Sequence, residues 1–158
     1  AVFTPRLMEH REDASNKVLL AVDVSSRFAK SYGDQVRPWL ARMRATADIL
    51  YADQHALPHI SNTEVRERAI REWQSTRKEH MNSLDDFLKT YVPEKSMGVI
   101  RLEQGDPADV LVRVSKDYDL IIVGSRSRPG LSGVVFGSVA AQLVREASCD
   151  ILTLPTSE

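Results

Sequence analysis

The chain alternates between short, almost wholly apolar runs and longer stretches in which apolar residues return every third or fourth position. The apolar runs are KVLLAVD (Lys17–Asp23), ADILYAD (Ala47–Asp53), MGVIRLEQG (Met97–Gly105), LIIVG (Leu120–Gly124) and DILTLP (Asp150–Pro155). Runs that stay apolar without alternating read as strands buried on both faces, as in a parallel sheet. The third is weakened towards its end by alternating charge. Between the first two, Ser25 or Ser26 can cap a helix that carries Phe28, Ala29, Val36, Trp39, Leu40 and Met43 on one side. Gly33 and Pro38 weaken that helix or kink it. From about Asn62 to Thr90, Val65, Ala69, Ile70, Trp73, Met81, Leu84, Phe87 and Leu88 mark one side of a long amphipathic helix. Asp106 and Pro107 open a further helix that repeats Ala108, Leu111 and Val114, and Ser138 to Ala147 reads as the last. Strands that alternate with helices predict an α/β fold: a five-stranded parallel sheet, doubly wound, with helices on both faces.

Length and composition narrow this further. At 158 residues and 42% apolar, the chain has material for one core and one domain. Residues 1–16 show no period and collect charge, so they read as a mobile N-terminal arm ahead of a domain spanning 17–158. Lys plus Arg number 21 against 22 for Asp plus Glu, so no overall field draws the chain to nucleic acid or to a membrane surface. The one cysteine, Cys149, cannot form an internal disulfide, and the first residues lack the apolar core of a signal peptide. No run approaches the roughly 20 apolar residues that span a bilayer. These features point to a cytoplasmic protein.

In doubly wound sheets, ligands sit beyond the carboxyl ends of the strands where strand order reverses. The rule selects Val22 with Asp23, Ala52 with Asp53, and Gly124 with the segment after it. That segment is rich in glycine: Gly124, Gly130, Gly133 and Gly137 are four of the chain's seven. Glycine leaves backbone N–H groups bare and free to converge on an anion, and the helix starting near Ser138 adds its positive end. A phosphate fits such a place, although glycine and serine also make ordinary connections.

The spacing adds to this. Gly124-x-x-Ser127, nine residues, then Gly137-Ser138 resembles the Gly-x-x-Gly-(nine)-Gly-Ser/Thr signature of ATP-binding members of the universal stress protein family. "VLLAVDVS" is similar to that family's first strand with its Asp, "GDPADVLVRVSKDYDLIIVGSRS" to its third helix and fourth strand, and "FGSVAAQLVREASCDILTLP" to its closing helix and strand. The resemblance implies an adenine nucleotide alpha hydrolase-like fold and ATP as ligand, with or without Mg2+. It implies that Asp23 meets ribose or adenine, with Val22 beside it and Ala52 against the base. Val123 and Gly124 would line the nucleoside, Ser127 would stand where backbone nears the phosphates, and Gly137, Ser138 and Val139 would hold phosphate oxygens. Ser127 departs from the family's glycine; where that position needs a positive φ, serine costs about 1 kcal/mol or more. Asp23 can alternatively cap the following helix, and Ser138 can be an ordinary N-cap.

Other constellations carry less. His55 and His59 are four apart, but Pro58 argues against a regular helix between them and no ligand set completes a metal site. Asp150 beside Cys149 raises its thiol pKa rather than activating it. Arg126 and Arg128 can neutralise phosphate or extend into water. No general base is arranged for fast chemistry, so any ATP hydrolysis is slow, and no catalytic residue is assigned. The expected function is an ATP-binding regulatory or stress-response module; the alternative is a nucleotide-free dimerisation or partner-binding module, its protein partner unknown. By analogy with the family, a homodimer forms through the last strand, an apolar edge if left bare.

Overall fold

The computed structural model describes residues 2–4, 17–24, 29–43, 46–54, 61–126 and 137–156. Its strands are β1 (Val2–Thr4), β2 (Val18–Ala21), β3 (Ala47–Asp53), β4 (Met97–Gln104), β5 (Leu120–Arg126) and β6 (Asp150–Thr156). They form one sheet in the order β1-β6-β5-β2-β3-β4. Strands β2 to β6 run parallel, as the unbroken apolar runs predict. The helices are α1 (Ala29–Met43), α2 (Thr63–Tyr91), α3 (Pro107–Val114) and α4 (Ser138–Glu146).

Each strand supplies two cores because successive side chains point to opposite faces. Val18, Leu20 and Val22 of the β2 segment face α1 and α2, where Val36, Leu40, Leu84, Phe87 and Leu88 bury against them. Leu19 and Ala21 face α3 and α4, meeting Leu111, Val114, Ala140 and Leu143. Each fully buried Leu or Ile contributes about 1.5–3 kcal/mol, and a one-residue slip of β2 would exchange the two sets, so register is strongly fixed.

Three local findings revise the expectations. Residues 2–4 of the presumed mobile arm form a strand: β1 pairs antiparallel with β6, Val2 opposite Thr153 and Thr4 opposite Ile151. β1 thus covers Ile151 to Thr153 of the last strand, part of the edge on which pairing with a second copy was expected. Among the described strands, β1 and β4 are the two outer ones. Second, α1 runs through both Gly33 and Pro38. A Cβ at position 33 would lie 2.3 Å from the Tyr91 ring, so the glycine lets α1 and α2 approach rather than breaking the helix. Third, Trp39, expected inward, remains 39% exposed, while Tyr32 takes the inward position at 4%.

The long helix α2 starts on the Asn62 side chain, which accepts the Val65 N–H at 3.2 Å. Its buried residues, Leu84, Phe87 and Leu88, all lie near its end. Helix α3 begins as the sequence predicts, with Pro107 first and the Asp106 carboxylate accepting the Ala108 N–H at 2.9 Å and the Asp109 N–H at 3.4 Å.

Candidate functional site

The order β6-β5-β2-β3-β4 places the reversal between β2 and β5. Their ladder pairs Val18 to Leu20 with Leu120 to Ile122. One residue later the chain after β2 bonds to β3 instead, the Val22 N–H donating to the Leu50 carbonyl at 2.9 Å. A crevice at such a point is where α/β sheets bind ligands. Val22 and Asp23 lie on one side of this reversal and Val123 and Gly124 on the other. Ala52 stands on the next strand over, half-buried against the α3/α4 core.

Tyr32, which the sequence reading did not single out, spans the reversal from below. Its hydroxyl lies 2.9 Å from the Ala21 carbonyl and 3.1 Å from the Ile122 carbonyl, so one O–H serves the end of β2 and the interior of β5, where their ladder stops. Burial pushes its phenol well above the usual tyrosine range and keeps it a donor. A Cβ placed on Gly124 would rest 3.4 Å from the Tyr32 ring and from the Thr156 methyl, so Gly124 lies directly on this floor. The spacing Ala29–Tyr32–Val36–Leu40 was the available signal for its inward position.

The β2 and β3 side is acidic. Asp23 is exposed and Asp53 half-buried at the strand ends. Between them, the Tyr51 hydroxyl meets His80 Nδ1 at 2.8 Å. Burial pushes the Tyr51 phenol up to about 12, and the charges of Asp53 and then Asp23 add to the shift. Carboxylates there favour a ligand's hydroxyl or amino donors and disfavour its phosphates.

The α4 side differs. Gly137, extended at φ −60° and ψ 160°, is the N-cap; Ser138 is the first helical residue rather than the expected cap. Among the described residues no side chain caps this turn, and no acidic residue sits in it. Ser138 is exposed, and Val139 packs partly into the core above the fully buried Ala140. Uncapped helix starts favour anions. Ser127, Arg128, Gly130 and Gly133 lie outside the described residues, as do His55, Pro58 and His59. Among the described residues, no three His, Cys, Asp or Glu side chains are grouped to hold a metal. Cys149 is buried just ahead of the first residue of β6, its thiol pushed up to about 11 by burial first and by Asp150 and Asp119 after it, in the direction the sequence predicts.

The sequence profile of the universal stress protein family matches residues 14–155. The chain belongs to that family. Universal stress protein Slr1101 of Synechocystis is 27% identical over 103 residues, covering 64% of this chain and 95% of that protein. The solved structure of universal stress protein UspA from Lactobacillus plantarum matches with a TM-score of 0.61 at 20% identity, covering 90% of this chain and 99% of that one. A universal stress protein solved in complex with cAMP matches with a TM-score of 0.54 at 22% identity, over 92% of this chain and 100% of that one. The structural likenesses establish the universal stress protein fold. Among the described residues, no helix is long and apolar enough to cross a membrane.

Proposed function

We propose that this universal stress protein is a cytoplasmic ATP-binding regulatory module that, at most, hydrolyses its nucleotide slowly. The observation that carries the reading is the contrast across the strand reversal: carboxylates at the ends of β2 and β3, and a helix start after β5 that no described side chain caps. A nucleotide has the matching polarity, with ribose hydroxyls and base amine at one end and phosphates at the other. In this pose Val22, Asp23 and Ala52 meet the nucleoside, with Val123 and Gly124 beneath it. The backbone N–H groups of Gly137, Ser138 and Val139, with the Ser138 hydroxyl and the chain at Ser127, take the phosphates. Mg2+ would accompany the phosphates as a counter-charge. Tyr32 supports the floor without touching the ligand.

Calorimetric titration with ATP, with and without magnesium, tests this. Binding that weakens on Asp23→Ala supports it, and no heat at millimolar nucleotide overturns it. The cAMP complex of a fold neighbour makes cAMP the informative competitor. Displacement of ATP by cAMP would place both in one crevice. Turnover of about 1–1,000 per second would overturn the regulatory reading in favour of an enzyme.

A second reading rests on Ser127. Its side chain stands where the family signature has glycine, and a pocket spoiled there would leave a nucleotide-free module that binds a protein partner. Ser127→Gly separates the two: affinity for ATP appearing only in the variant supports the second reading.

A further inference from the structure

Strands β2 and β5 part while each stays paired on its other side. Their shared ladder ends at Leu20 opposite Ile122. Beyond it, β2 keeps to β3 through the Val22 N–H on the Leu50 carbonyl, and β5 keeps to β6 for four more pairs, from Val123 opposite Thr153 to Arg126 opposite Thr156. The parting is therefore not a frayed end. Two well-seated strands are held from closing by another step.

Between parallel strands, every second residue of one gives its N–H to the other. The Leu120 N–H donates to the Lys17 carbonyl, so the Ile122 N–H meets the Leu19 carbonyl and the next bond would join the Gly124 N–H to the Ala21 carbonyl. That bond would pair Ala21 with Val123, and the ladder does not contain this pair. The Ala21 carbonyl accepts the Tyr32 hydroxyl instead, at 2.9 Å. Tyr32 is fixed in this position: its buried ring stacks on Phe87 at 6.1 Å and 20°, and Phe87 in turn meets Tyr91 at 5.1 Å. About one turn further along α1, the Gln35 side chain donates to the Pro155 carbonyl, so one helix holds carbonyls of β2, β5 and β6.

We propose that Tyr32 is a positioning residue for the ligand: by occupying the Ala21 carbonyl it halts the β2/β5 ladder one bond short and leaves the Gly124 N–H to the crevice. This role rests on the nucleotide reading above and adds to it the device that keeps the floor open. A buried carbonyl left without a donor is costly. Removing the hydroxyl therefore drives the Ala21 carbonyl to the next donor of the ladder, the Gly124 N–H, and the floor closes.

Tyr32→Phe tests this, because it keeps the ring and its stack and removes one oxygen. Amide hydrogen exchange followed by NMR without nucleotide is the first measurement. In the wild-type chain the Gly124 amide should exchange at least about tenfold faster than that of Ile122, the worth of one hydrogen bond. In Tyr32→Phe, Gly124 exchange should slow by about tenfold, and ATP affinity by calorimetry should fall by a similar factor. Phe87→Leu is the control: it loosens the same core but spares the hydroxyl, so Gly124 exchange should not slow and ATP affinity should stay at the wild-type value. A Tyr32 that served stability alone would instead speed Gly124 exchange when replaced. That result overturns the proposal. So does a wild-type Gly124 amide as protected as that of Ile122, or unchanged exchange in Tyr32→Phe, the outcome if water replaces the hydroxyl. If neither chain binds ATP while Gly124 exchanges as described, the nucleotide reading falls and the halted ladder stands.

Discussion

Helices α3 and α4 pack side by side on one face of the sheet, and each buries a leucine completely or nearly so, Leu111 at 2% and Leu143 at 0% exposure. Their first turns are finished in opposite ways. The α3 turn is answered by its own Asp106 carboxylate, with Asp109 adding a second negative charge. The α4 turn opens on Gly137, with no capping side chain among the described residues and no acid in the turn. Gln142 of α4 even donates to Asp109 of α3 at 3.2 Å, so the two helices are joined at the surface while differing at their starts. The difference teaches that packing and terminus chemistry are separable. A helix that neutralises its own positive end is structural there, whereas one that leaves the end to others can receive an anion.

The comparison can be broken at its packing half first. Leu111→Ala and Leu143→Ala should each cost about 2–5 kcal/mol in chemical denaturation, because both remove buried methyl groups from the same core. A much smaller loss at Leu143 would show that α4 is less firmly held than α3 and would remove the premise of equal packing. The terminus half is sharpened by Gly137→Asp, which gives α4 the cap that α3 already has. ATP affinity should fall at least about tenfold, or about 1.4 kcal/mol, while stability changes by only a few tenths. Calorimetry and denaturation on the same sample check both. The smallest effect belongs to Asp106→Ala: about 1 kcal/mol of stability lost and ATP affinity unchanged, with Asp106→Asn close to wild type.

Much of this contrast was legible in the sequence. ADILYAD is β3 to the residue, and Asp106-Pro107 opens α3 as its composition requires. These features are local: a run of apolar residues or a carboxylate before a proline carries its own instruction. What was hidden depends on distant partners. Three residues of β1 are too few to show a period, and their pairing is supplied by β6, far along the chain. Gly33 looks like a helix breaker until Tyr91 is seen against it. Tyr32 reads as one more inward residue, since nothing local shows that its hydroxyl will reach the carbonyls of two strands. At the site, the glycine spacing located the start of α4 but not its cap. Ser138 was the preferred residue type for that role, yet the backbone enters the helix at Gly137 and leaves the serine one position inside. The expected phosphate position at Ser127 lies outside the described residues.

The uneven anchoring of α2 has a consequence for how the domain comes apart. Its last turns are fixed by Leu84, Phe87 and Leu88, and further back the Tyr51–His80 hydrogen bond ties it to the sheet. Ahead of His80 the rod is braced along its own length, by the Asn62 cap and by exposed pairs such as Arg68–Glu72 at 3.3 Å. Such pairs contribute about 0.3–0.5 kcal/mol each, and most of a helix's stability in a protein comes from docking its apolar face. One continuous helix thus belongs to two cooperative units: a leading stretch able to unwind on its own, and a trailing one that melts only with the domain.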